Sequence, residues 1–232
     1  MNKIMIVTGT RKGIGRYLAE AYLNEGYTVY GCSRRECDIN HSHYHHAHLD
    51  VGDEQNVVDY VKHVYLREKR LDILVNNAGI GLMNHSVLTS TESAMRVMMT
   101  NYGGTFSFSR ECAKYMIKQQ EGRIVNFSSI AVPSHLEGEL AYSASKSAIE
   151  QLTKVMAREV GPFNVTVNAV GPSPVNTDLI SRVQPEKIER LIDDQSCKVM
   201  ASYEDVKNVI DFYISPQSKL ITGQVVYLGG FC

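Results

Sequence analysis

The sequence lacks the features that would place it in several special classes of protein. It has five cysteines, an odd number, and no Cys-x-x-Cys pair, so we expect reduced thiols rather than a disulfide framework or a zinc knuckle. No apolar run approaches the ~20 residues that cross a membrane. The opening MNKIMIVTG meets a glycine before it reaches the apolar length of a signal peptide. We therefore expect a cytoplasmic protein with no membrane partner.

An excess of charge of either sign is also missing. The chain has 24 basic and 25 acidic residues and a net charge of −1, which does not favour nucleic acid or anionic membranes as partners. Its 232 residues and 44% apolar content are typical of an ordinary globular protein. Since no Pro/Ser/Gly-rich linker and no repeat divides the chain, we predict one domain over residues 1–232.

What the sequence contains is an alternation of short apolar runs and helical patterns. Strand-like stretches, several of them continuously apolar, lie at 4–7, 27–32, 44–49, 73–75, 123–127, 164–170 and 224–228. Helical patterns lie between them, the clearest at 53–68, 90–119, 141–160 and 203–214. Continuous apolar strands are typical of strands covered on both faces. We predict an α/β fold: a single Rossmann-type doubly wound domain of about seven parallel strands with helices on both faces.

A glycine-bearing loop follows the first apolar run, as Thr8-Gly9-Thr10-Arg11-Lys12-Gly13-Ile14-Gly15. Glycines at this place let the backbone turn tightly and approach a pyrophosphate, and the helix N-terminus that follows offers unpaired N–H groups. The alternative is a plain strand-to-helix turn. The position directly after an N-terminal strand favours a dinucleotide site.

The pattern Tyr-x-x-x-Lys places a phenol and an ammonium on one helix face. A nearby cation favours the phenolate and brings the pKa of a tyrosine down from about 10. The pattern occurs three times, as Tyr65/Lys69, Tyr142/Lys146 and Tyr203/Lys207. We expect the first and third pairs on surface helices, away from the edge of the sheet where ligands bind.

The middle pair has a hydroxyl partner upstream. Ser129 lies thirteen residues before Tyr142 and comes just after the run 123–127, with Ser128 between them. Ser128 is the rival hydroxyl, and the spacing favours Ser129. Asn76-Asn77-Ala78-Gly79 follows another strand, and Asn101 lies in Met99-Thr100-Asn101-Tyr102-Gly103.

Taken together, these stretches resemble the short-chain dehydrogenases/reductases over nearly the full length. The resemblance implies a catalytic set of Asn101, Ser129, Tyr142 and Lys146. In this family the serine binds the substrate oxygen, the tyrosine transfers the proton, the lysine binds the cofactor ribose, and the asparagine holds a water of a proton relay. For Asn101 alone, a buried amide that kinks a helix is the alternative.

The resemblance also implies a nicotinamide cofactor, and the residues after the second strand indicate which one. Family members that use NAD usually carry an aspartate where this chain has Ser33, followed by Arg34. With Lys12, two cations and no acid favour NADP(H), although Arg34 and Arg35 could be solvated loop charges. The implied cofactor-binding residues are Gly9, Arg11, Lys12, Gly13, Ile14, Gly15, Ser33, Arg34, Asp50, Val51, Asn77, Ala78, Gly79, Tyr142, Lys146, Pro172, Val175 and Thr177.

The substrate is less well defined by the sequence. Residues 178–201 correspond to the substrate lid of the family and are short and polar here, which favours reduction of a small or polar ketone or aldehyde. Reduction of 3-oxoacyl groups on acyl carrier protein and a non-catalytic NADP(H)-binding sensor remain alternatives. Ser173 replaces a usual glycine in the loop before Thr177. The family implies a homo-oligomer, a dimer or tetramer, through the helices near 101–119 and 141–160.

Five histidines fall within eight positions, 41–48. They lie between the second and third strands, where the family usually has a helix that is too long for this chain. We expect His46 and His48 on the third strand and His41 and His43 in the loop. Because strand alternation separates neighbours to opposite faces, and a metal needs three or four converging ligands, we predict no metal site. Whether a histidine helps to hold the 2′-phosphate stays open.

Overall fold

Seven parallel strands form one sheet in the computed structural model, which describes residues 2–176, 180 and 185–231. The order is β3-β2-β1-β4-β5-β6-β7. The strands are β1 Ile4–Thr8, β2 Thr28–Ser33, β3 Tyr44–His48, β4 Ile73–Asn76, β5 Gly122–Phe127, β6 Val165–Gly171 and β7 Val225–Tyr227. The predicted α/β fold with about seven parallel strands is confirmed.

Helices connect the strands and cover both faces of the sheet. They are α1 Gly13–Asn24, α2 Glu54–Glu68, α3 Thr91–Met98, α4 Gly104–Gln119, α5 Ala131–Ser134, α6 Leu140–Val160, α7 Pro185–Asp193 and α8 Tyr203–Ile214. A π-helical turn, Met99–Gly103, joins α3 to α4. Among the described helices, none is both long and apolar enough to span a membrane.

The sheet separates two apolar cores, and β1 contributes to both. Ile4 and Ile6 pack with buried residues of α2, α4 and α6 on one face. Met5 and Val7 pack with α1 and α8 on the other. Because alternate side chains of a strand point to opposite faces, a strand buried on both sides reads as one apolar run, as the sequence indicated.

The strand order reverses between β1 and β4, and this point locates the crevice. Chain connections run outward from β1 through β2 to β3, and outward from β4 through β5 and β6 to β7. At such a reversal the flanking loops separate, so a ligand can enter at the carboxyl ends of the strands. Thr8, Asn76 and Phe127 end β1, β4 and β5 there.

Buried amides stiffen the centre of the sheet beneath the crevice. Asn76 Nδ2 donates to Asn126 Oδ1 and to Ser109 Oγ, both at 2.9 Å. Asn126 Nδ2 donates to Thr153 Oγ1, also at 2.9 Å. These bonds join β4 and β5 to α4 and α6, and a buried polar network with its partners in place is rigid.

The prediction of surface positions for the two other tyrosine–lysine pairs is wrong in part. Lys207 is buried, and its Nζ lies 2.7 Å from both Glu25 and Asp211.

The Tyr203 hydroxyl donates to the Asn176 carbonyl at 2.8 Å, close to the carboxyl edge of the sheet. Tyr203 lies there because it begins α8 two residues after Ala201, which pairs with Val175. Tyr65 stacks on Tyr115, with ring centroids 4.1 Å apart.

Residues 34–43, which connect β2 to β3 and are all described by the structure, contain no helix, as predicted. His41 and His43 precede β3, and His46 and His48 lie on it together with His45. The described residues hold no group of three or more His, Cys, Asp or Glu side chains that could bind a metal ion.

Candidate active site

The glycine loop forms a tight turn between β1 and α1. Gly9 and Gly13 have φ of +79° and +62°, a region that favours glycine. A Cβ on Gly15 would lie 2.4 Å from both the Gly9 carbonyl oxygen and Asn77 Nδ2. Because α1 begins at Gly13 and the side chain of its N-cap residue makes no capping hydrogen bond, its first N–H groups can face an anion.

Within the same loop, Arg11 and Ile14 are half-buried and Lys12 is exposed. Ile14 packs against the core on the α1 side of the sheet. Lys12 takes the N-cap position in extended conformation, with φ of −159°. The loop therefore presents a lysine at the helix N-terminus, where the sequence predicted a cofactor contact.

Hydrogen bonds from the stretch after β4 hold the loop in place. Thr8 Oγ1 accepts from the backbone N–H groups of Asn77 and Ala78 at 3.0 and 2.9 Å. Asn77 Nδ2 donates to the carbonyl oxygens of Thr8 and Gly9 at 2.8 and 3.4 Å. Sequence reasoning missed Thr8, although its position at the end of β1 was the available signal.

The end of β2 carries a cation beside the crevice. Ser33 Oγ donates to the Arg35 carbonyl at 2.5 Å. The Arg34 guanidinium is mostly exposed and lies 4.0 Å from Asp50. The Val51 side chain is buried against Gly104 of α4, so Asp50 is the member of this predicted pair that stays half exposed at the edge.

The two serines after β5 point to different partners. Ser128 is buried and donates to Glu150, which also accepts from the Tyr227 hydroxyl. Ser129 accepts from the Ala131 N–H at 3.1 Å and hydrogen-bonds Tyr142. The structure therefore brings Ser129, rather than Ser128, to the predicted tyrosine.

Tyr142 and Lys146 lie one turn apart on α6, behind Ser129. Burial raises the pKa of Tyr142 to about 12, while the hydrogen bond with Ser129 opposes the rise. Burial lowers the pKa of Lys146 to about 8. Lys146 Nζ donates to the Phe127 carbonyl at 2.7 Å and lies 5.7 Å from the Tyr142 ring centre.

This geometry corrects one expectation. The sequence predicted that Lys146 lowers the pKa of Tyr142, yet the pKa of that phenol is raised above its usual value. The physical reason is that desolvation disfavours the phenolate, while the Lys146 ammonium is hydrogen-bonded to a backbone carbonyl. At neutral pH the phenol is therefore protonated.

Asn101 is fully buried in the π-helical turn. Its Oδ1 accepts from the Ile80 N–H at 2.8 Å, and its Nδ2 donates to the Ile80 carbonyl and to Ser145 Oγ, both at 3.0 Å. A Cβ on Gly79 would lie 3.2 Å from Asn101 Oδ1 and 3.8 Å from Lys146 Nζ. The Asn101 side chain thereby holds the segment Asn77–Ile80 next to Lys146.

The loop after β6 forms the remaining wall. Pro172 is half-buried and its carbonyl accepts from the Ile130 N–H at 3.4 Å. Val175 is buried and pairs with Ala201. Ser173, which replaces the usual glycine, is also buried. Thr177, predicted to contact the cofactor, lies outside the described residues.

A carboxylate beside Tyr142 was also missed. Glu139 precedes α6, and its charge raises the pKa of Tyr142. Burial raises the pKa of Glu139 itself, and the charge of Lys187 on α7 opposes that rise. The signal was the i, i+3 spacing of Glu139 and Tyr142, which places two side chains on one helix face.

The sequence matches the family described as short chain dehydrogenase over residues 3–188. The chain belongs to this family. A curated relative, 3-oxoacyl-[acyl-carrier-protein] reductase FabG of Aquifex aeolicus, is 32% identical over 238 residues, covering 98% of this chain and 96% of the relative. The predicted family resemblance is confirmed, and the chain is an oxidoreductase of the short-chain dehydrogenase type.

Solved structures of the family agree with the fold. A structure of ElxO with NADP bound superposes with a TM-score of 0.90 at 29% identity, covering 98% of this chain and 97% of that one. The 4-hydroxyisoleucine dehydrogenase complexed with NADH has a TM-score of 0.87 at 27% identity, covering 99% and 98%. The solved structures with this fold therefore include one with NADP bound and one with NADH bound.

Proposed function

We propose that this short-chain dehydrogenase reduces a ketone or aldehyde to an alcohol with NADP(H). The observation that carries the proposal is the meeting of Ser129, Tyr142 and Lys146 at the carboxyl end of β5, beside the strand reversal where ligands enter. The half-buried Tyr142 phenol, whose pKa is about 12, remains protonated at neutral pH, as an acid for carbonyl reduction must.

The glycine loop and the end of β2 fit a dinucleotide. A Cβ on Gly9 would lie 2.8 Å from Asn77 Nδ2, so this position has no room for a side chain. The bare backbone of Gly9 leaves space where a pyrophosphate would meet the start of α1. Ser33 carries no charge to repel a 2′-phosphate, and Arg34 supplies a cation that suits one. These two residues support NADP(H) over NAD(H).

The roles of the chain's residues follow from their positions. The bound nicotinamide supplies hydride to the carbonyl carbon. Tyr142 donates its phenolic proton to the carbonyl oxygen, and Ser129 donates a second hydrogen bond that stabilises the developing negative charge. Lys146 binds the ribose hydroxyls next to the phenol. Asn101 holds the segment Asn77–Ile80 beside Lys146 and takes part in returning a proton from solvent.

The charges beside Tyr142 support a small polar substrate. The charge of the Glu139 carboxylate acts on Tyr142, and the charge of Lys187 on α7 acts on Glu139 in turn. A carboxylate and an ammonium would favour a carbonyl compound that also carries hydroxyl or amino groups. Sugar and polyol carbonyls belong to this class.

A second candidate is reduction of 3-oxoacyl groups on acyl carrier protein. It is supported by the FabG relatives, which are about 30% identical over almost the whole chain. The carrier is acidic, so a basic docking surface would be expected. The stretch 117–122 contains one cation, Lys118, and it lies where α4 leads into the start of β5, at the amino edge of the sheet rather than at the opening. It therefore supplies no basic docking surface beside the site, which favours the polar substrate.

We also propose a homo-oligomer built on α4 and α6. Met99, Phe106 and Val155 are large apolar side chains that remain about half exposed on this side of the protein. Arg110 lies over the Phe106 ring, 5.4 Å from its centre. An exposed apolar surface on two long helices is typical of a contact between subunits.

A matched substrate screen tests the proposed function. Purified protein is given NADPH or NADH with hydroxylated aldehydes and ketones, simple ketones, and a 3-oxoacyl thioester. We expect NADPH oxidation with a hydroxylated carbonyl compound, and a slower rate with NADH. Turnover of the thioester alone would favour the acyl reductase, and NADPH binding without turnover of any compound would favour a sensor.

A further inference from the structure

A chain of side-chain hydrogen bonds runs from the glycine loop to the end of β2 through the histidine-rich strand. Thr10 Oγ1 lies 2.8 Å from the Tyr44 hydroxyl, which lies 3.0 Å from His46 Nδ1. His46 Nε2 lies 3.2 Å from both the Arg35 carbonyl and Ser33 Oγ. None of these contacts involves the proposed catalytic residues.

Gly31 makes room for this chain of bonds. A Cβ at Gly31 would lie 2.4 Å from the Tyr44 hydroxyl and 2.5 Å from Thr10 Oγ1. Any side chain at this position of β2 would therefore displace both hydroxyls. The Tyr44 ring is buried, so its hydroxyl reaches its two partners from a fixed position.

The chemistry of the partners fixes the direction of the bonds. The Arg35 carbonyl can only accept, so His46 Nε2 carries the proton and donates. His46 Nδ1 then accepts from the Tyr44 hydroxyl, which in turn accepts from Thr10. Ser33 Oγ also donates to the Arg35 carbonyl, at 2.5 Å. The His46 imidazole thus contacts both ends of the turn 33–35, at Ser33 and at Arg35, and Arg34 lies between these two contacts.

Because no helix follows β2, the turn after this strand depends on His46 for support. Residues 34–43 run from β2 to β3 without a helix to support the turn. Farther along the connection, Asp38 pairs with Arg16 of α1 and Cys37 Sγ donates to the Thr10 carbonyl at 3.5 Å. Those contacts anchor residues 37–38, whereas His46 contacts the turn that carries Arg34.

We propose that His46 is a positioning residue that sets the preference for NADPH over NADH. It fixes Ser33 and the Arg35 carbonyl relative to the glycine loop, so that the Arg34 guanidinium faces the 2′-phosphate when the pyrophosphate lies at α1. The inference rests on the proposed cofactor. It assigns selectivity to a side chain that need not touch the phosphate.

The test measures binding rather than turnover. Titration calorimetry gives the Kd of the protein for NADPH, for NADH, and for the fragment pair 2′,5′-ADP and 5′-AMP. We expect His46→Ala to weaken NADPH and 2′,5′-ADP by roughly tenfold, and to leave NADH and 5′-AMP within twofold. His46→Gln, which keeps one donor and one acceptor, should restore most of the lost affinity. His48→Ala, exposed on the same strand, is the matched control.

Each outcome bears on the inference. Equal weakening of NADPH and NADH by His46→Ala, or unchanged affinity for both, would overturn it. If His46→Ala does not fold, His46→Gln and His48→Ala still test the inference. A His46→Gln variant whose ratio of Kd values for NADPH and NADH differs from that of the unmodified protein would contradict the proposed hydrogen bonds. If the unmodified protein binds neither dinucleotide, it is the proposed function that fails, which is a separate result.

Discussion

Lys146 donates its hydrogen bond to the carbonyl of Phe127 at 2.7 Å, while its Nζ lies 5.7 Å from the centre of the Tyr142 ring. Lys146 is buried and Tyr142 is half-buried, and desolvation favours the neutral form of each group: the pKa of the phenol rises to about 12 and that of the ammonium falls to about 8. At neutral pH the site therefore holds a protonated phenol beside a charged lysine.

The lysine gives the reaction an alkaline limit. Since the pKa of Lys146 is lowered to about 8, its charged form prevails below that pH and is lost above it, whereas Tyr142 stays protonated throughout this range. We expect kcat/KM for carbonyl reduction to fall as pH rises through about 8. Initial rates between pH 6 and 10 measure it, and a flat profile up to pH 10 would contradict the assignment.

The glycine loop leaves no space for a methyl group at Gly15. A Cβ there would lie 2.4 Å from the Gly9 carbonyl oxygen, and overpacking of this kind costs roughly 1–3 kcal/mol. We expect Gly15→Ala to lower the free energy of unfolding by that amount and to weaken NADPH binding. Urea denaturation and calorimetry measure the two effects.

Gly161→Ala is the control for that substitution, because a Cβ at Gly161 meets no atom within 4 Å and the residue has no positive φ. It should leave both quantities unchanged. A Gly15→Ala variant as stable and as tightly bound to NADPH as the unmodified protein would show that the loop does not approach the cofactor.

The apolar surface on α4 gives a prediction about assembly. Replacing Phe106, which is 41% exposed and lies under Arg110, with aspartate puts a charge into the proposed subunit contact. We expect Phe106→Asp to reduce the molecular mass measured by light scattering to that of a smaller assembly or a monomer. Leu66→Asp on α2, where the leucine is 53% exposed, should leave the mass unchanged. Equal masses for all three proteins would contradict the contact.

The regular elements could be predicted because their signals are local. Strands such as β5 have apolar sequences because they are buried on both faces. The helical pattern at 53–68 corresponds to α2, with Asp53 as its N-cap. The shortened connection between β2 and β3 was also predicted, from the number of residues available. These features depend on residues that are close in sequence.

Features that depend on distant residues could not be predicted. The burial of Lys207 depends on Glu25, which meets it from the distant end of α1, in addition to its i,i+4 partner Asp211 on α8. The pKa of Tyr142 rises because β5, α6 and the preceding loop enclose it, and a nearby lysine does not compensate. The contact of His46 with the Arg35 carbonyl likewise needs two strands and a turn. None of these has a fixed spacing in the sequence.

The central claim is that the Tyr142 hydroxyl supplies the proton during carbonyl reduction. The most direct measurement compares Tyr142→Phe with the unmodified protein, using the carbonyl compound that the screen identifies, with NADPH affinity measured in parallel. We predict that kcat falls by roughly 10²–10⁴-fold while the Kd for NADPH changes by less than about threefold. A phenylalanine variant that reduces the carbonyl compound at the unmodified rate would contradict the account.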